Sequence, residues 1–124
     1  MKTRIRPLTL QELEIMKVVW DLQTTTVRDV YEALLRRRKI AYTTVMTMMN
    51  ILETKKYLKK RAEDRAYVYR AARPRSQVIK AMVRDFVDRV FNGFAEPLLI
   101  QLVKDHRLSK KELEDLARTV EEAE

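Results

Sequence analysis

The chain has no cysteine, one glycine, three prolines and one histidine among its 124 residues. Without cysteine there can be no disulfide, thiolate metal site or thiol-based redox switch. So little glycine and proline leaves no room for glycine-rich phosphate loops or a turn-dense β architecture. No run approaches the ~20 apolar residues of a membrane span, and the N-terminus carries no signal-peptide pattern. HExxH spacing and nucleophile elbows are also missing. His106 stands beside Asp105 in an expected inter-helix turn without catalytic companions, and Glu112 with Asp115 reads as solubilising charge on a helix. These absences argue against an enzyme, predict no cofactor and no metal, and leave a cytoplasmic location as the default.

What the chain does have is positive charge, unevenly placed. Of the formal net charge of +8, residues 1–74 hold 17 Lys and Arg against 8 Asp and Glu, and residues 75–124 hold 9 against 10. The excess therefore lies wholly in the first part, as expected where that part meets a polyanion and the remainder does something else. Hydrophobic content of 46% with 35% charged residues is ordinary for a helix-rich globular protein.

The periodicity predicts three helices, then a hairpin. Thr9 with Glu12 forms a capping box for a helix to Trp20, with Leu13, Met16 and Trp20 on one face. "DLQTTT" reads as a connector with a short strand. Thr26 caps a second helix carrying Val27, Val30, Tyr31 and Leu34, which ends in the run Arg36-Arg37-Arg38-Lys39. A third helix, from about Tyr42 to Lys56, follows. "YLKKR" and "AYVYR" then switch to strand character around the turn "AED", where Asp64 must take any left-handed position. The fold class is mainly α: a winged helix-turn-helix domain over residues 1–73, followed by a helical dimerisation domain over residues 74–124.

The second domain is read from its apolar stripes. Val78, Ile79, Met82, Val83, Phe86, Val90 and Phe91 line one long helix that stops at Asn92-Gly93. Leu99, Leu102 and Val103 follow Pro97 on the next helix, and Leu113 and Leu116 follow a Ser109–Glu112 capping box on the last. About fifty residues in three helices cannot bury this much apolar surface alone, so a second copy of the chain is the expected partner.

The third helix is the most specific feature. With Val45 central to the buried side, Met48, Met49 and Leu52 share it, while Thr43, Thr47 and Asn50 point away. No Asp or Glu occurs between Ala33 and Leu52. A soluble helix normally carries Glu and Lys on its free side. Threonine is a poor helix former, so several on one exposed face need another cause. Close approach to DNA supplies one, because carboxylates would repel phosphates and short side chains reach base edges. Thr43, Thr44, Met46, Thr47 and Asn50 are the candidate base-reading residues. Lys39, Tyr42, Lys55, Lys59, Arg65 and Tyr67 are the candidate backbone contacts, with Arg36, Arg37 and Arg38 adding long-range attraction. Tyr67 and Tyr69 alternate onto one face of the wing, and packing beneath the sheet is the other use open to either.

The stretches "LTLQELEIMKVVW", "TVRDVYEALLRRRKIAYTTVMTMMNILETKKYL" and "RAYVYR" resemble the penicillinase-repressor family of bacterial regulators, over residues 7 to 122. The resemblance implies a homodimeric repressor that binds a palindromic double-stranded DNA operator. It also implies three differences from relatives. Ile51 stands where members often have Arg, and Lys56 and Asp64 stand where glycines are common. The position aligned with the Asn-Phe bond cut in antibiotic-responsive members reads Gln101-Leu102, which does not support a sensor-protease as partner. The copper-responsive branch uses a cysteine-rich metal site, which this chain cannot build. A winged-helix module that docks a protein, and a nonspecific architectural DNA-binding protein, are the alternatives from other classes.

Overall fold

The computed structural model describes residues 6–123; residues 1–5 and 124, the outermost positions of the two expected domains, lie outside the described residues. The elements run α1 (Leu10–Leu22), β1 (Thr24–Thr25), α2 (Val27–Leu35), α3 (Tyr42–Thr54), β2 (Leu58–Glu63), β3 (Ala66–Ala71), α4 (Arg75–Val90), α5 (Glu96–Lys104) and α6 (Lys110–Ala123). Three helices and a small antiparallel sheet of order β1-β3-β2 make a winged helix-turn-helix.

Local chemistry sets the ends of these helices. The Thr9 hydroxyl accepts from the Glu12 N–H at 3.1 Å, and Glu12 Oε1 accepts from the Thr9 N–H at 2.9 Å, closing the expected box at α1. Thr26 and Asp29 make the same reciprocal pair at α2, and Ser109 with Glu112 at α6. The buried face of α1 is centred on Ile15, Met16 and Val19, with Leu13 and Trp20 at its margins, rather than on the Leu13–Met16–Trp20 stripe. Trp20 sits at the margin because its indole N–H donates to the Arg73 carbonyl at 3.1 Å, a bond available only at the edge of the core.

The core of the first compact unit, Met1–Met82, joins α1, α2, α3 and one face of the sheet. Leu34 of α2, Val45, Met49 and Leu52 of α3, and Leu58 and Tyr69 of the sheet are all buried in it. Val78, near the start of α4, is 4% exposed and belongs to this same core, with Met82 packed against it. Two residues read from the sequence as facing a second copy are therefore already packed within the chain. The second unit, Val83–Glu124, contains the rest of α4 with α5 and α6. None of its described side chains is buried.

Several tight connections use left-handed residues other than glycine. After α3 the Tyr57 N–H donates to the Leu52 carbonyl at 2.9 Å and the Lys56 N–H to the Glu53 carbonyl at 3.0 Å, the bond pattern of a Schellman cap with Lys56 at φ 70°. The hairpin pairs Glu63 with Ala66 around a two-residue loop whose first residue, Asp64, has φ 55°. His106 ends α5 in the same way, at φ 59° with the Arg107 N–H donating to the Leu102 carbonyl, so the lone histidine has a capping place in the fold. A lysine in this conformation costs roughly 1 kcal/mol relative to glycine. Lys56→Gly is accordingly expected to raise the unfolding free energy by about 0.5 kcal/mol at most, after the added freedom of the unfolded chain is subtracted; urea titration at fixed protein concentration checks this.

Candidate nucleic-acid interface

α2 and α3 form the helix-turn-helix, and α3 presents its free side to solvent. Thr43, Thr44, Met46, Thr47 and Asn50 are all exposed, while Val45, Met49 and Leu52 hold the opposite side in the core. All five base-reading candidates therefore lie on the accessible surface of one helix. Met48, expected in the core, is partly buried at its margin, and Ile51 extends the exposed surface. The first turn of α3 has neither an acidic residue nor a side-chain cap, because its N-cap is Ala41. The free N–H groups there and the positive end of the helix dipole suit an approaching phosphate.

The flanking cations divide into free and engaged groups. Tyr42 opens α3 with its ring packed edge-on against Tyr31, centroids 5.4 Å apart, and remains 40% exposed. Lys39 is exposed, and among the described residues it, Arg36 and Arg37 make no ion pair. Arg38 is engaged: its guanidinium donates to Glu14 Oε1 from Nη2 at 2.8 Å and from Nε at 3.2 Å. Lys55 is turned inward, with its ammonium 2.8 and 3.0 Å from the two oxygens of buried Glu12 and 3.3 Å from the Pro7 carbonyl. Its charge is balanced within the fold and ties the end of α3 to the start of α1.

Sheet register sorts the wing residues. Lys60 lies opposite Tyr69, and Ala62 opposite Tyr67; these share the face whose base, with Thr25 and Leu58, is buried against the helices. Lys59 lies opposite Arg70, and Arg61 opposite Val68, on the outer face beside Thr24. Tyr67 is 53% exposed, and the Lys60 ammonium sits 4.6 Å from its ring centroid. Tyr69 is buried, and its hydroxyl donates to Asn50 Oδ1 at 3.3 Å. Arg65 occupies the exposed hairpin loop. The helix-side face of the wing thus brings Lys60 and Tyr67 toward α3, whereas Lys59 stands on the reverse face. In the sequence Lys60 is one of four basic residues, with Lys59, Arg61 and Arg65, that crowd the wing as phosphate-positioning candidates, but Lys59 and Arg65 rather than Lys60 are the ones singled out as backbone contacts. The signal was present, since a two-residue loop at Asp64-Arg65 pairs Lys60 with Tyr69 by counting.

In the second unit, Val83, Phe86 and Val90 of α4, Leu99 of α5 and Leu116 of α6 are exposed. Ile79 of the first unit is half-buried, as are Phe91, Leu102, Val103 and Leu113 of the second. Ile100 and Val120, which the sequence periodicity already places on the apolar faces of α5 and α6, are exposed as well, and Phe94, which it does not, extends the exposed apolar surface. Phe86 and Phe91 pack edge-on at 5.8 Å.

Comparison with known proteins agrees with this architecture. The family model described as penicillinase repressor matches residues 8–122. The chain belongs to the penicillinase-repressor family. It is 28% identical to the penicillinase repressor of Bacillus licheniformis over 111 residues, covering 90% of this chain and 87% of that one. It is 31% identical to the transcriptional regulator BlaI of Mycobacterium tuberculosis over 115 residues, covering 91% and 82%. Among solved structures, the monomeric form of B. licheniformis BlaI in complex with the blaP half-operator superposes with a TM-score of 0.52 at 29% identity, over 59% of this chain and 89% of that one. The members of this family are transcriptional repressors, not enzymes.

The Glu12–Lys55 pair has a pH consequence. Burial pushes the Glu12 carboxyl pKa upward, but the Lys55 ammonium and the Thr9 N–H and hydroxyl together outweigh it and leave it below the ordinary glutamate value. Glu14 is lowered too, chiefly by its hydrogen bond from Arg38. A lowered carboxylate pKa gives stability that is complete above the unfolded value, about 4.3, and lost as pH falls through the folded value. Unfolding free energy is therefore expected to be level from pH 7 to about pH 5 and to fall below that. Glu12→Gln should lower stability at pH 7 and flatten the acid limb; urea titrations across pH check both.

Proposed function

We propose that this chain is a cytoplasmic repressor that binds a palindromic operator as a homodimer, with the first unit, residues 1–82, for DNA binding and the second, residues 83–124, for dimerisation. The observation that carries the reading is the exposed side of α3, which holds Thr43, Thr44, Met46, Thr47 and Asn50 without an acidic residue, on a helix anchored by Val45, Met49 and Leu52. That surface enters the major groove and reads base edges. Lys39, Tyr42, Lys60, Arg65 and Tyr67 approach phosphates around it, and Lys59, Arg36 and Arg37 add attraction at longer range. Lys55 has no part in DNA contact, being held by Glu12. No helix among the described residues is long and apolar enough to cross a membrane. The DNA complex of the B. licheniformis relative supports the same use of the fold here.

Dimerisation rests on the second unit. A set of helices with no buried described side chain and exposed phenylalanine and valine needs a second copy to cover it. Two-fold pairing sets two α3 helices about one DNA turn, roughly 34–36 Å, apart. Proteolytic release is not part of the proposal: Gln101-Leu102 lies inside α5, where the Gln101 amide donates to Asp105 Oδ1 at 3.1 Å.

Binding to operators selected from random DNA, at two salt concentrations, tests the reading face. Asn50→Ala is expected to lose about 1–3 kcal/mol of discrimination at one base position of each half-site. Lys60→Ala should weaken selected and random DNA alike and shallow the salt slope by about one. Equal losses on selected and random DNA for both variants would refute the face, and absence of any DNA complex would favour a protein-docking module. For the dimer, sedimentation of the wild type is expected to give a single two-chain species. Val90→Glu, at an exposed position of α4, should yield monomer with operator affinity reduced about a hundredfold or more, since the second half-site no longer binds at high effective concentration.

A further inference from the structure

The hydrogen bond between Tyr69 and Asn50 joins the wing to the reading helix. Asn50 is exposed on α3, and a free carboxamide there would turn about its terminal bond and present either its oxygen or its amine to DNA. Tyr69 is 2% exposed, and its strand is the central one, with Thr25 on one side and Lys60 on the other. The position of its hydroxyl is therefore fixed by the sheet rather than by its own flexibility. Burial, with the nearby Glu53, Tyr67 and Tyr42, pushes its pKa upward, so the hydroxyl keeps its proton at neutral pH and remains a donor. It donates to Asn50 Oδ1 at 3.3 Å. That occupies one lone pair of the amide oxygen and leaves both N–H donors of Nδ2 unused by Tyr69.

We propose that Tyr69 is a positioning residue for operator specificity, which holds the Asn50 carboxamide with its amine presented to the bases. Asn50 then reads a major-groove acceptor: purine N7, guanine O6 or thymine O4. The proposal rests on the reading of α3 as the base-contacting helix. It deepens that reading by assigning the polarity of one contact and by giving a buried wing tyrosine a part in specificity.

Three variants of the full-length chain test it, each used to select sites from random double-stranded DNA, with competition binding to quantify preference. Tyr69→Phe keeps the buried ring and removes only the hydroxyl. It is expected to broaden preference at one position of each half-site by about fivefold, the worth of an ordinary hydrogen bond. Affinity for random DNA should stay at the wild-type value, and the urea midpoint should fall by no more than the loss of one hydrogen bond accounts for. Asn50→Ala is expected to lose preference at that same position, and the double variant should lose no more than Asn50→Ala alone. An unchanged profile for Tyr69→Phe beside a lost preference for Asn50→Ala overturns the positioning role and leaves the α3 reading standing. An unchanged profile for Asn50→Ala removes the α3 reading, and the proposal with it. A loss of stability well beyond one hydrogen bond, together with a loss of random-DNA affinity, in Tyr69→Phe makes the tyrosine merely structural and also overturns the proposal.

Discussion

The first unit depends on α3 being held from one side only. Val45, Met49 and Leu52 lock it against α1, α2 and the sheet, each contributing about 1.5–3 kcal/mol on burial. This anchorage offsets two local weaknesses. Its threonines cost up to about 0.7 kcal/mol each relative to alanine, and its first turn begins at Ala41 without a side-chain cap. An isolated peptide of this sequence would be a poor helix. Packed in place, the helix can leave its outer side short, uncharged and accessible. The Glu12–Lys55 pair completes the anchorage, with Lys55 contributing 11% and Glu12 6% side-chain exposure. Removing either partner would strand the other charge, which is the expensive way to break such a pair.

How much of this was legible in the sequence follows from the range over which each feature is determined. The caps at Thr9, Thr26 and Ser109 need residues only three positions apart, and all three form as read. The stripe of α3 follows from helical period, with Val45 at its centre. The left-handed Asp64 follows from the missing glycine of the turn. Other features depend on partners far away in sequence. Lys55 meets Glu12 across 43 positions, so its local setting in a basic run gave a misleading impression of freedom. Lys59 and Lys60 are neighbours in sequence, yet the pleat sends them to opposite faces, and only the register decides which one meets Tyr67. Val78 reads as one more member of the α4 stripe, but the first turns of that helix complete the core of the first unit. Ile15 and Val19 displaced Leu13 and Trp20 at the centre of α1 because the indole N–H required a partner at the margin.

The second unit shows the opposite relation between sequence and structure. Its apolar residues are legible in the sequence, but a single chain leaves none of the described ones buried: Val83, Phe86, Val90 and Phe94 remain exposed, while Phe91, Leu102, Val103 and Leu113 are half-buried. In the proposed dimer, folding of this unit and pairing of the two chains become one equilibrium, so its stability depends on concentration. Half-site affinity and dimer affinity are then linked, since each DNA-binding unit raises the local concentration of the other at the operator.

The proposed reading surface, made of threonine, methionine and one asparagine, would form few strong contacts. None of its base-reading candidates carries a charge, and Ile51 extends it with another apolar group. In such a surface, discrimination depends on the orientation of the few polar groups more than on their number, because a misdirected donor loses its hydrogen bond and also leaves a base edge unsatisfied. Orientation has to be fixed before DNA arrives, or ordering the side chain subtracts from the binding energy. The sheet supplies that fixity: Tyr69 reaches Asn50 from a central strand, and the cap at Lys56 and the turn at Asp64 use conformations that glycine would loosen. The left-handed lysine and aspartate lower stability, yet each has less backbone freedom than a glycine would have in the same place. The physical case for tolerating them is that a helix with so little charge on its proposed reading side needs a stiff frame behind its one carboxamide.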